Sequence, residues 1–265
     1  MKNIKNRILT AAFIMLASVT AVAHETELQK VEKQPETVKP KKSFQKHKVY
    51  AGWTVGGWTG ADFKEGVISS ENMEGVINNK TISSFHIGEV NDFYFSKYLY
   101  AGCGFEYNRT GYKQKMNITS GKYWNDEAAN YEGNTTTTVT LNKLSIPVHF
   151  GAYYNITPKL KLFAEAGPYV SYTIAGRSKT EGYLITHEDI HSGEKQEISE
   201  KDHVGEGYLD TYRRFGFGAS AAAGISFHGF LFQFTYQRGL SKTMRDSKQY
   251  EQNFMFSLGY EINVK

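Results

Sequence analysis

The sequence predicts an all-β fold, an eight-stranded antiparallel transmembrane β-barrel wound as an up-and-down meander, and three observations point to it. The first is the stretch Tyr212–Leu240. Phe215, Phe217, Ala219, Ala221, Ala223, Ile225 and Phe227 fall on one face, with Gly216, Gly218, Ser220, Ala222, Gly224 and Ser226 on the other. After His228-Gly229 the alternation resumes, with Phe230, Phe232, Phe234 and Tyr236 opposite Gln233, Thr235 and Gln237. A hairpin in water hides its large apolar face and charges the other. Here the second face is small or polar, as in a barrel whose solvent is lipid. The second observation is that six further segments repeat these two faces. The third is that the links between segments alternate between long and short, the pattern of extracellular loops and periplasmic turns.

Taken in order, the first strand is expected over about residues 49–59, with Val49, Ala51, Trp53 and Val55 outward. A polar loop over 61–81 leads to the second, about 82–95, where Gly88, Glu89, Asn91 and Asp92 interrupt the alternation and suggest a bulge. A tight turn at Ser96-Lys97 opens the third, with Leu99, Ala101, Cys103, Phe105 and Tyr107 outward. Cys103, the one cysteine, excludes an intrachain disulfide and reads as a small apolar filler on the lipid side. A second polar loop, 116–134, precedes the fourth strand, where Leu144, Ile146, Val148 and Phe150 face out and Tyr153 and Tyr154 close the strand as interface aromatics. The fifth, about 160–175, is followed by a charged stretch over 176–210, in which Gly182–Thr186 and Glu194–Ile198 are able to pair as a hairpin. Tyr212–Leu240 supplies the sixth and seventh strands, and 253–262 the eighth, with Phe254, Phe256, Leu258, Tyr260 and Ile262 outward. The interior of an eight-stranded barrel is just wide enough for side chains to fill, which predicts no open pore.

The chain opens with Lys2, Lys5 and Arg7, an apolar run from Ile8 to about Val19, and Ala21-Val22-Ala23, which together read as a secretory signal peptide over 1–23. The run is shorter than the roughly 20 apolar residues a membrane-spanning helix needs. The formal charge of +4 comes mostly from this leader, which holds three of the 31 basic residues and none of the 27 acidic ones. The remainder is nearly neutral, so a nucleic-acid partner is not indicated. Residues 24–48 carry two prolines, mixed charge and few apolar side chains, and are expected to be a disordered periplasmic tail ahead of a barrel over 49–265.

Four segments, L-S-I-P-V (Leu144–Val148), A-G-P-Y (Ala166–Tyr169), R-F-G-F-G-A-S (Arg214–Ser220) and Y-Q-R-G-L (Tyr236–Leu240), stand in an order and spacing that resembles the PorT-like outer-membrane β-barrel family over roughly residues 49–262. The resemblance implies a small barrel in the outer membrane of a Gram-negative cell, surrounded by outer-membrane lipid and inserted by the barrel-assembly machinery. It also implies support of protein secretion for the branch that gives the family its name. Such barrels tend to end on an aromatic residue that the assembly machinery reads; this chain departs from that, with Asn263-Val264-Lys265 following Ile262.

The inward positions give a set of polar side chains, Glu106, Lys143, His149, Lys161, Glu165, Arg214, Gln233 and Glu261, expected to pair in the lumen because burying unpaired charge is costly. His187-Glu188-Asp189-Ile190-His191 matches H-E-x-x-H, whose zinc chemistry needs a helix to bring His187 and His191 onto one face. Its polar loop context makes a solvated tip the expected reading. His149 shares its face with Ser145, but the sequence shows no acid to orient it for hydrolysis. No catalytic residue, cofactor or metal is therefore assigned. The leading expectation is a non-enzymatic barrel whose long loops bind a protein or surface ligand. A narrow channel and an outer-membrane hydrolase are the alternatives.

Overall fold

The computed structural model describes residues 44–60, 65–70, 73–122, 130–189, 192–205, 209, 211–245 and 247–264. Its strands are β1 (Phe44–Gly60), β2 (Gly66–Ser70), β3 (Met73–Tyr94), β4 (Leu99–Lys122), β5 (Asn130–Asn155), β6 (Leu160–Asp189), β7 (Ser192–His203), β8 (Phe215–Phe227), β9 (Phe230–Gly239) and β10 (Gln249–Val264). Eight of them form a closed antiparallel ring in the order β1-β10-β9-β8-β6-β5-β4-β3, and β3 returns to β1 through pairs such as Tyr50↔Gly88. Closure removes the sheet edge, so every ring strand has a partner on both sides. β2 pairs with β3 and β7 with β6, outside the ring.

The alternation carries through as drawn from the sequence. Phe215, Phe217, Phe227, Phe230, Phe232, Phe256 and Leu258 are all exposed on the outer wall, which in a membrane is the wall that meets lipid. Short turns at one end join β3 to β4, β5 to β6, and β8 to β9. The last is a two-residue turn with both central residues left-handed, His228 at φ 52° and Gly229 at φ 89°, the geometry that matches strand twist. Glycines on the inner face make room for rings from neighbouring strands. A Cβ at Gly218 would stand 2.6 Å from the Tyr169 ring, and one at Gly224 the same distance from Phe163.

Several boundaries differ from expectation, for identifiable reasons. β1 begins at Phe44, so Lys46 and Lys48 belong to the barrel wall and not to the tail. The expected loops over 61–81, 116–134 and 176–210 are largely strand, because β3, β4, β5 and β6 run on past the apolar band. There both faces are polar and the period-two signal vanishes, while backbone pairing continues through Lys113↔Thr138 and Thr138↔Lys179. The suggested hairpin is observed, with Leu184↔Gln196 and Thr186↔Glu194 in register. The pairing of β3 with β4 shifts register between Glu74 and Gly75 and between Thr81 and His86, not at 88–92. Glu89 and Asn91 interrupt the pattern because they are polar residues at outward positions. Both stand beside His47 of β1, whose Nδ1 is 3.0 Å from Asn91 Oδ1 and whose Nε2 is 3.7 Å from Glu89. Tyr154 is exposed as expected for an interface ring, but Tyr153 is one residue out of phase and turns inward against Tyr94 and Tyr100.

Candidate functional site

Inward side chains from all eight ring strands meet in the lumen and are stacked in tiers. Nearest the short turns, Lys161 donates to Glu261 (2.5 Å) and to the Tyr94 hydroxyl (3.4 Å). Glu261 also accepts from Lys46 and Ser226, each at 3.1 Å. In the next tier Lys48 lies 2.7 Å from Asp92 and 3.2 Å from Glu165, and Tyr100 donates to Glu165 at 2.7 Å. His149 Nε2 is 2.9 Å from the other Asp92 oxygen, and Gln233 reaches Glu165 at 3.4 Å. Lys48 and Asp92 are almost fully buried. Charges so far from water persist only when paired and hydrogen-bonded, which this tier achieves by placing one ammonium between two carboxylates.

Asp92, His149 and Glu165 offer three ligand atoms within 4.8 Å of one another, a donor set that suits a divalent metal. The Lys48 ammonium pairs with both carboxylates of that set, so the protein supplies the cation itself. Higher in the lumen, Glu106 accepts from Tyr50 (3.1 Å) and Gln237 (3.0 Å). His86 lies between Thr54 (3.0 Å) and Ser257 (2.8 Å), and Thr54 donates on to Asn108. Lys143 pairs with Glu251, and Asn253 joins Glu251 to Thr110. The mouth is then closed by apolar side chains. Trp58, Tyr112, Val139, Leu141, Leu209 and Met244 form one buried cluster, in which the Trp58 ring lies 4.4 Å from that of Tyr112.

Gaps within this filling are small. One of about 30 Å³ lies beside Lys48, Glu106 and Gln237, and one of about 10 Å³ beside Lys143 and Tyr169. Such spaces hold a water or two.

Seven of the eight polar residues singled out from the sequence, Glu106, Lys143, His149, Lys161, Glu165, Gln233 and Glu261, stand at inward positions in these tiers. Arg214 does not. β8 starts at Phe215, and the chain before it leaves the strand path through the Tyr212↔Met244 bridge. Arg214 is consequently exposed above the ring, where its guanidinium donates to the Val204 carbonyl at 3.2 Å. Extending the alternation past the strand end assigned it to a lumen tier that it does not join.

Lys48, Asp92, His86 and Glu251 are members that sequence reasoning missed. Lys46 and Lys48 are in phase with Tyr50, Gly52 and Thr54, and Asp92 with His86, Gly88 and Val90. Following the period through the weak segments therefore finds them.

The hydrolase geometry is not assembled around His149. An acid, Asp92, does orient it, but Ser145 is set against Glu106 and Ser171 in register, and both His149 and Ser145 are buried. His187 lies in β6 opposite Gly193, so the helical spacing that would present a zinc pair is not there; His191 falls outside the described residues.

No curated protein matches the chain. Among solved structures, Ail, the attachment invasion locus protein of Yersinia pestis, is 11% identical, with 82% of this chain and 98% of that chain covered and a TM-score of 0.30. OprG from Pseudomonas aeruginosa is 9% identical over 84% of this chain and 98% of its own, with a TM-score of 0.34. Neisserial surface protein A is 9% identical over 82% and 97%, with a TM-score of 0.32. The family described as outer membrane protein beta-barrel domain matches residues 44–245, from the first residue of β1 to beyond the end of β9. With its closed ring, lipid-facing aromatic wall and filled polar lumen, the chain belongs to the outer-membrane β-barrel family and resides in the outer membrane.

Proposed function

We infer that the protein is a non-enzymatic barrel that carries no flow and presents a tall extracellular sheet to a protein or surface ligand. The observation that carries this reading is the contrast in strand length around the ring. β8 and β9 have 13 and 10 residues, whereas β4, β5 and β6 have 24, 26 and 30. A bilayer is crossed by about 9–11 tilted residues, so the excess on one side stands above the membrane. There β2 and β7 flank β3–β6 and widen the projection to six strands. Rigid scaffolds of this kind carry recognition on the segments that project from them. Closure of the lumen is supported by the paired tiers and the apolar cluster at the mouth.

On this reading residues 1–23 are the export signal, the assembly machinery inserts the barrel, and the PorT-like resemblance supports a role in envelope or secretion support. The test replaces residues 178–203 with a short turn. A barrel that still shows heat-modifiable migration but loses surface binding or the secretion phenotype is the expected result. Retention of every phenotype would falsify the presenting role, and a stable single-channel conductance of the unaltered protein in a planar bilayer would remove closure.

A further inference from the structure

The apolar outer wall is broken on β1 and β3, where His47, Glu89 and Asn91 occupy outward positions. Register gathers them. His47 and Asn91 are direct cross-strand partners, and Glu89 stands beside Val49 in the next row. Phe93 lies below the cluster and Ile87 above it, both exposed on the same face. Glu89 is five residues from Tyr94, the last residue of β3. Each residue of a strand tilted near 45° climbs roughly 2.5 Å, so Glu89 stands roughly 12 Å above the short turn, midway up an apolar band roughly 25 Å tall.

A carboxylate and an imidazole at that depth face hydrocarbon, which offers no hydrogen bond and no counter-charge. The cluster satisfies itself only in part. His47 Nδ1 is held by Asn91 Oδ1 at 3.0 Å, which turns Nε2 toward Glu89. The gap that remains is 3.7 Å, longer than a hydrogen bond, and the Glu89 side chain is 42% exposed. Among the described residues Glu89 accepts no hydrogen bond. The surroundings are shaped for close approach, since the outward neighbours include Ala51, Ala101 and Cys103, whose small side chains let a second wall come near.

The chemistry of the cluster identifies what covers it. It carries a donor and an acceptor side by side, so it is complementary to itself. A second copy in the same membrane presents the same pair at the same depth, whereas a lipid headgroup would have to be drawn roughly 12 Å into hydrocarbon to reach Glu89. We propose that this face of β1, β3 and β4 is an interface within the membrane between two copies of the chain, related by a two-fold axis along the membrane normal. His47 of each copy donates to Glu89 of the other, and Ala51, Ala101 and Cys103 allow the walls to meet. Two imidazoles and two carboxylates then close into one ring screened from lipid.

The test uses the full chain in isolated outer membranes, co-expressed in two versions with different epitope tags. Cys103→Ala removes the native thiol, and Val49→Cys places one at the centre of the face. A short bismaleimide is expected to give an adduct that carries both tags. Ala221→Cys in the same background is the control, because β8 lies across the ring from β1 and β3. Adding His47→Leu and Glu89→Leu to the Val49→Cys protein should lower the adduct roughly fivefold or more. Leucine suits a lipid-facing position, so this variant should keep its heat-modifiable migration, which separates loss of the interface from loss of the fold. Equal adducts from positions 49 and 221 would mean random collision and overturn the interface. An undiminished adduct in the leucine variant overturns the role of His47 and Glu89. If position 49 instead joins the chain to a different protein, the second-copy assignment is wrong.

Discussion

The two ends of the lumen are filled by opposite chemistry. Toward the short turns, Lys46, Lys48, Asp92, Lys161, Glu165 and Glu261 interlock through ion pairs, and His149 hydrogen-bonds Asp92. At the opposite mouth, Trp58, Tyr112, Val139 and Leu141 close the barrel with the kind of packing found in a soluble core. The lower tier fixes side chains by direction, because each charge is held by specific opposite charges, Lys48 between Asp92 and Glu165 and Glu261 between Lys46 and Lys161. The upper cluster fixes them by volume, and its cost of disruption is that of a cavity. One barrel thus uses specificity of pairing at its base and close packing at its lid.

That difference sets the order in which changes should hurt. The largest effect is expected for Lys48→Met, which strands Asp92 and Glu165 as buried like charges. Removing one partner of such a group costs about 3–5 kcal/mol, measured by urea unfolding in vesicles. Adding Asp92→Asn and Glu165→Gln to that variant should recover most of the loss. A single variant as stable as the unaltered barrel would show that water reaches this tier. Trp58→Ala is next, at about 3 kcal/mol, with a loss that tracks cavity volume and is insensitive to salt. If it depends on salt as strongly as the Lys48 variant does, the two ends do not differ in kind. Tyr50→Phe removes one hydrogen bond to Glu106 and should cost about 1–3 kcal/mol, since a buried carboxylate loses a donor. The smallest effect, about 0.5 kcal/mol or less, is expected for Thr137→Val, whose 3.0 Å contact with Thr180 lies in the projecting sheet outside the lumen. A large loss there would make the projection part of the barrel's cooperative unit.

The strand faces inside the lipid band were legible because lipid on one side and a narrow lumen on the other impose opposite polarity on successive residues. Phe215 to Phe227 shows this most clearly. Legibility failed wherever one of the two solvents changed. Above the membrane, Thr135 to Thr138 meets polar surroundings on both faces, so the strand continued where a loop was expected. At the base, Lys46 and Lys48 looked like a basic tail because their carboxylate partners lie far along the chain. Arg214 failed for the reverse reason, since a pattern was extended one residue past the point where the backbone left the strand.

The sequence alone determined the fold class, the ring of eight and the side of the wall that most residues of the apolar band face, because alternation is a local property of a strand. Only the tertiary structure decided which charges meet, how far each strand rises above the membrane, and that His47 stands beside Glu89 and Asn91 on the outer wall. Those relations depend on register between strands distant in sequence, and cross-strand hydrogen bonding fixes it only when the ring closes.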